Sequence, residues 1–350
     1  MKLYKLITFI VIVFFKTGTL FSENNLFNVN NIELVKKDKV TNNTLADMAI
    51  KKGFSQLITK ILLKEDIRKL SDLNFQAIKE LVAYYQISGG ENKNENKKKE
   101  LVIFSVTFDK DKTHALFFKR GISYSEISDK ELYTLPVLIK DNEIFIFNNN
   151  FFYKNWNEIY QDDLIEFILP LENIEIIKNI NNNKNNLIDL NLVDLFQEYT
   201  NKNLALILIE DDPENKVKAY LKTKIQGKTI SKSINFKKQI QKNRKVYENI
   251  VIETKKELID LVKSKNLIDI RTPSFLNAKF VLNKNSNLVD LNSRIKNIDL
   301  IENVYVQDFN KEYMSLRIKY LGKLDKIINQ LKKKNINLQL INDQWVIKTL

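Results

Sequence analysis

The sequence predicts an α+β chain of two or three small mixed domains, the C-terminal one ferredoxin-like with the order β-α-β-β-α-β plus a terminal strand. Three observations carry that expectation. The spacing of apolar residues switches repeatedly between two, the strand period, and three to four, the helix period. At 350 residues the chain is longer than one domain of roughly 100–200 residues. Its 44% hydrophobic content, with only seven glycines and four prolines, suits packed cores rather than disorder. The expected division is a secretory signal at 1–22, an N-terminal α+β domain at 23–130, a middle α/β domain with a β-hairpin at 131–270, and the ferredoxin-like domain at 271–350.

The start of the chain reads as a leader. Lys2 and Lys5 precede an apolar run, 6–15, broken only by Thr8, and Ser22 suits the last residue before cleavage. The run is about half of the roughly 20 residues that a membrane-spanning helix needs. Lys16, directly after the run, and Leu20, two residues before Ser22, keep a second reading open: an uncleaved amphipathic N-terminal anchor. Either way the expected place is outside the cytoplasm, in the periplasm of a Gram-negative bacterium.

In the N-terminal part, Phe27 and Val29, then Ile32 and Leu34, mark a strand over 26–35. Asn43 or Thr44 caps a helix whose stripe is Ile50, Phe54, Leu57, Ile58, Ile61 and Leu62. Ser71 and Asp72 open another, with Leu73, Ala77, Ile78 and Leu81 inward. Strands at 83–88 and 101–108 flank a polar hairpin loop, and a short helix at 111–118 stops before Gly121.

The middle part opens on a hairpin, 135–140 with 143–147, turning at Asp141 and Asn142. An aromatic-rich helix at 151–160 and a strand at 164–169 stopped by Pro170 follow. Residues 204–209 are apolar throughout, as in a strand covered on both faces. Val217, Ala219, Leu221, Thr223 and Ile225 alternate with lysines, and the chain turns near Gly227 to return through Ile230, Ile234 and Phe236. Tyr247, Ile250, Val251, Thr254, Leu258, Leu261 and Val262 stripe an amphipathic helix.

The last part alternates most cleanly. It reads as a strand at 275–282, a helix striped by Leu288, Leu291, Ile295 and Ile298, and a hairpin of 301–309 with 312–320. A helix striped by Leu324, Ile327, Ile328 and Leu331 and strands at 336–340 and 345–347 close it.

Composition excludes several functions. There is no cysteine, hence no disulfide, thiol nucleophile or thiolate metal site. The net charge is +13, yet arginine is confined to Arg68, Arg120, Arg244, Arg271, Arg294 and Arg317 while lysine, asparagine and isoleucine abound, the signature of AT-rich codons. Nucleic-acid sites favour arginine for bidentate contacts, so no nucleic-acid partner is expected.

Each group with chemical potential has a plainer reading. His114 is the only histidine, so neither a multi-histidine metal site nor, without a nucleophile elbow, a hydrolase triad can form around it. Glu210, Asp211 and Asp212 are consecutive and diverge, which reads as a solvated loop; Asp162 and Asp163 read the same way. Gly89–Gly90 and Gly227-Lys228-Thr229 lack the context of a phosphate-binding loop. Lys97–Lys99 and Lys332–Lys334 are solvated runs or contacts for an anionic membrane surface. Trp156 with Phe151, Phe152 and Tyr153, and Trp345, are core packing or binding anchors. No catalytic, cofactor-binding or metal residue is assigned.

Read in order, these segments resemble an exported bacterial family, domain of unknown function 2066. The resemblance rests on Ala46, Ala49, Gly53 and Leu57 in the first long helix, on Val106-Thr107-Phe108-Asp109, on Tyr133 to Ile139 with Pro136, and on Leu169-Pro170-Leu171. It continues through Ile301 to Val304, Leu316 to Gly322, Leu338 and Trp345. The abundance of Lys and Asn and the inserted loop 89–99 depart from that pattern. The resemblance implies export and brings no catalytic residues. The segment 204–236 also resembles the N-terminal domains of periplasmic translocation proteins of the TolB type, at the level of fold alone.

The expected function is therefore a non-enzymatic periplasmic protein that works by contact with other envelope proteins. Contact with an anionic membrane surface is the alternative, and an enzyme of unrecognised type the third reading.

Overall fold

The computed structural model describes residues 26–36, 40–89, 100–127, 129–160, 164–212, 216–237, 243–282 and 288–349. The expected leader, the lysine run 97–99 and the Asp162–Asp163 pair lie outside them. The fold is α+β, with helices and mixed sheets along the whole described chain. It forms two compact units. One holds the residues up to Thr59, Ile67–Ser123 and those from Ile268 onward; the other holds Lys60–Asp66 and Tyr124–Leu267. The segments expected as separate N- and C-terminal domains thus belong to one unit, and the middle domain is inserted between them.

The first unit opens with β1 (Asn28–Lys36). The switch of apolar phase from Val29 to Ile32 is a β-bulge, with Asn31 in the left-handed region at φ 58°. Helix α1 (Asn42–Ile61) is capped by Thr41, whose Oγ1 accepts the Thr44 amide at 3.2 Å, so the cap falls slightly before Asn43 and Thr44. Gly53 lets this helix lie on the sheet: a Cβ there would stand 2.9 Å from Ile32 Cδ1. After a short α2 (Lys64–Arg68), whose first three residues belong to the other unit, α3 (Phe75–Glu80) begins at its cap Asn74 rather than at Ser71. Asp72, expected near that start, makes a bidentate pair with Arg120 instead. Strands β2 (Val82–Gly89) and β3 (Glu100–Phe108) complete an antiparallel sheet of order β1-β3-β2. Helix α4 (Lys110–Arg120) is capped by Asp109 and ends at Gly121, which takes φ 61°.

In the inserted unit, the two-residue strand β4 (Tyr124–Ser125) is followed by β5 (Glu131–Lys140) and β6 (Glu143–Phe145). Asp141 and Asn142 both have positive φ, as a two-residue hairpin turn requires. Then come α5 (Phe151–Asn155), β7 (Glu166–Ile168), α6 (Ile174–Asn182), α7 (Leu192–Leu195), β8 (Asn203–Asp212), β9 (Lys216–Ile225), β10 (Lys228–Lys237), α8 (Asn243–Lys265) and β11 (Leu267–Ile268). The main sheet runs β10-β9-β8-β5-β6, with β7 also on β5; β8 and β7 are parallel to β5.

Pro136 sits inside β5, where a missing N–H would normally break a ladder. Strand β7 pairs only with Glu131–Tyr133 and β6 only with Leu138–Lys140, which leaves a gap at the proline. Buried Asn150 fills it: its Nδ2 donates to Pro136 O at 2.8 Å while its Oδ1 caps α5.

The uniformly apolar 204–209 segment is indeed covered twice. Ala205, Ile207 and Ile209 join a cluster with Ile250, Val251, Leu258 and Val262 of α8. Leu204, Leu206 and Leu208 join another with Ile176 and Ile180 of α6, Leu195 of α7 and Phe196.

The chain returns to the first unit with β12 (Ser274–Val281), α9 (Leu288–Lys296), β13 (Ile301–Phe309), β14 (Tyr313–Tyr320), α10 (Leu324–Lys333), β15 (Ile336–Ile341) and β16 (Gln344–Thr349). The predicted β-α-β-β-α-β-β succession is present, in a sheet of order β13-β14-β12-β16-β15. The added terminal strand is inserted between the first and fourth strands. It runs parallel to β12 and pushes β15 to the edge.

Candidate interaction surface

His114 points inward from α4. Its ring meets Phe27 edge-on at 5.3 Å. Burial, reinforced by Lys110, lowers the imidazole pKa to about 4, against the opposite pull of Glu302 and Asp111. This is a packed, neutral core histidine.

The acids after residue 209 are not a loop. Strand β8 continues through Asp212, paired with β9 at Glu210↔Lys218 and Asp211↔Val217. Strand alternation then separates them: Glu210 and Asp212 face water, while Asp211 is 6% exposed and its Oδ2 accepts the Tyr247 hydroxyl at 2.5 Å. Burial and that bond raise the phenol pKa well above its usual range. Phe151 and Phe152 pack on the Tyr247 ring at 5.3 and 4.9 Å. Tyr247→Phe removes a hydrogen bond to a charged group and is expected to cost about 1.5–3 kcal/mol. Urea unfolding of the variant checks it; a loss under about 0.5 kcal/mol would show that Asp211 is held by other groups.

Trp156 is fully buried against Phe167 and Phe152 is buried in the same cluster, while Phe151 and Tyr153 are half-buried. Trp345 is half-buried on β16. Gly227 occupies the hairpin turn between β9 and β10 at φ 75°, and a strand, not a helix, follows it. Lys332 and Lys333 end α10, where cations favour the helix dipole.

Sequence reasoning missed Lys255. It is 2% exposed, donates to the carbonyls of Ile159 at 2.9 Å and Tyr160 at 2.8 Å, and lies over the Phe167 and Trp156 rings at 5.1 and 5.7 Å. Its signal was positional: it stands four residues after Val251, inside the apolar stripe of α8.

The feature with most binding character is the C-terminal sheet. Alternate residues (Leu276, Ala278 and Phe280 of β12; Leu316 and Ile318 of β14) are buried, as are Leu291, Ile295, Ile327 and Leu331 of the two helices. The opposite face is open. There Phe275 and Tyr305 are each 48% exposed, with Arg317 stacked over Phe275 at 4.3 Å and Lys279 over Tyr313 at 4.6 Å. Lys319 shares this face and pairs with Glu302 at 2.8 Å, which raises the lysine pKa. Lys348 is exposed on β16. Rings and cations are thus interleaved on a surface in water.

A hollow of about 460 Å³ in the inserted unit carries Glu172, Glu175, Asp194 and Glu198 on its walls. Among the described residues no group of three or more His, Asp or Glu is placed to hold a metal, and no helix is long and apolar enough to cross a membrane.

No family model and no curated protein matches the chain. A solved structure described as an uncharacterized protein is similar over 40% of this chain and 94% of its own, at 9% identity and a TM-score of 0.19. That score carries no statement about fold or function.

Proposed function

We propose that this chain is a non-enzymatic protein of the bacterial cell envelope that works by binding an acidic surface of another envelope protein through the open face of its C-terminal sheet. The single observation behind this reading is the interleaving of Phe275, Tyr305 and Tyr313 with Lys279 and Arg317 on the sheet face opposite the buried one, where Phe275, Tyr305 and Arg317 are exposed. Aromatic residues and arginine are the types enriched where proteins meet, and paired cations favour a partner of opposite charge. The leader-like start and the resemblance to domain of unknown function 2066 agree with an envelope location.

The test is a photo-crosslinking residue at Tyr305 in the full chain in cells, with one at exposed Ser71 as control. An envelope protein captured from 305 and not from 71, and reduced about tenfold or more by Arg317→Glu, is the expected result. Capture that is equal from both positions, or a product retaining Met1 in the cytoplasm, would overturn it.

The same cations favour a second reading, contact with anionic lipid. Flotation with vesicles containing phosphatidylglycerol at low salt separates the two: binding lost in Arg317→Glu supports lipid, and no binding removes it.

A further inference from the structure

We propose that strand β2 is a self-association edge, pairing antiparallel with β2 of a second copy about a twofold axis at Gln86. The proposal concerns a different sheet from the surface above and does not rest on that reading.

Strand β2 closes one side of the order β1-β3-β2, so among the described residues no strand lies beside one row of its backbone donors and acceptors. Its side chains are open on both faces, with Tyr84 at 55%, Tyr85 at 43% and Ile87 at 50% exposure. Among the described residues, several other sheet edges carry features that discourage pairing. Strand β10 bears Lys228, Lys232 and Lys237, β6 and β7 are three residues each, and β1 and β13 are interrupted by bulges. Strand β15, also uncharged, is two residues shorter than β2 and has no aromatic residue to pair across the edge. Strand β2 is irregular only at Val82–Tyr84; from Tyr84 to Gly89 the ladder is regular.

Charge selects the occupant. The chain carries +13 overall, and 28% of its residues are charged, so two copies repel over most of their surfaces. The segment Val82–Gly89 has no charged residue and can meet its own copy without placing like charges opposite one another. Side chains also fit. Tyr85 and Ile87 share one face, opposite Val106 and Phe104 of β3. With the axis at Gln86, each Tyr85 lies across from the second copy's Ile87, giving two aromatic–β-branched pairs. Tyr84 meets Ser88 on the other face. Moving the axis by one residue replaces these two pairs by a single self-pair, Tyr85 with Tyr85 or Ile87 with Ile87. One strand pair buries less than the about 800 Å² per partner of a standard interface, so a micromolar dimer is expected.

The chain has no cysteine, so Gln86→Cys introduces a single reporter. Mild oxidation should convert Gln86→Cys to a disulfide-linked dimer much faster than the control Ser71→Cys. Sedimentation equilibrium of the cysteine-free protein should show a concentration-dependent monomer–dimer equilibrium, weakened at least tenfold by Ile87→Lys with an unchanged far-ultraviolet circular dichroism spectrum. A monomer up to submillimolar concentration, a dimer indifferent to Ile87→Lys, or equal oxidation of the two cysteine variants would each overturn the proposal.

Discussion

Lys255→Ala is expected to destabilise the inserted unit by about 3–5 kcal/mol. The Ile159 and Tyr160 carbonyls both lose a charge-assisted donor, and such bonds contribute about 1.5–3 kcal/mol each. The ammonium also leaves the faces of Phe167 and Trp156, and the lysine stem leaves a cavity beside a fully buried indole. Relief of the desolvation of a buried cation offsets part of this, which holds the net effect below the sum. A backbone effect adds to it: Tyr160 sits at φ 58°, a left-handed conformation that a tyrosine holds only under restraint, and Lys255 supplies one restraint. Lys255→Met keeps the stem and removes the charge, so it should lose about half as much. The measurement is urea unfolding followed by tryptophan fluorescence in a Trp345→Phe background, where Trp156 alone reports on this unit. A change below about 1 kcal/mol for the alanine variant would mean that water replaces the ammonium at both carbonyls.

What the sequence disclosed follows from how local each signal is. The run 204–209 could be read as a two-sided strand because burial on both faces leaves no polar position, and both clusters are there. The phase slip between Val29 and Ile32 recorded a bulge, and Asp141–Asn142 recorded a turn, since one backbone conformation dictates each. The stretch 174–199 was opaque. Its helix α6 buries only Ile176 and Ile180, among isoleucines at Ile174 and Ile177 that blur the period, and its starts depend on the side chains of Asn173 and Asn191. Asparagines are too common in this chain for those caps to stand out. Asp211 was misread because three consecutive acids and a proline resemble a loop, whereas pairing with β9 carries the strand past them. The place of β16 inside its sheet and the exposure of β2 are tertiary facts: an edge strand and a central one of the same composition read alike. The surfaces that matter for binding were therefore the least visible. Phe275 and Tyr305 count as ordinary strand residues until it is known which face is covered.

His114 should make the first unit sensitive to mild acid. With one histidine in the chain, no other side chain has an unperturbed pKa between the carboxylates and the lysines except tyrosine near 10. In the unfolded chain the imidazole titrates near 6.5; in the fold burial, with Lys110, lowers it to about 4. Its folded pKa is depressed, so between about pH 6.5 and 4 the unfolded state binds more protons and stability falls as pH falls. Above about pH 7 the neutral ring costs nothing and the full stability is present. At about 1.4 kcal/mol per pKa unit, the whole window amounts to about 3 kcal/mol, of which about 1 should appear between pH 6.5 and 5.5, before most carboxylates titrate. His114→Phe keeps an aromatic ring against Phe27 and should flatten this part of the profile. Two readouts test it. The single histidine Cε1 proton resonance should hold its neutral shift at pH 5.5 and move near pH 4, and denaturant stability should fall from pH 6.5 to 5.5 in the parent protein but not in the variant. A resonance that titrates near 6.5 would show the ring open to water. Parallel stability profiles would assign the acid sensitivity to groups other than His114.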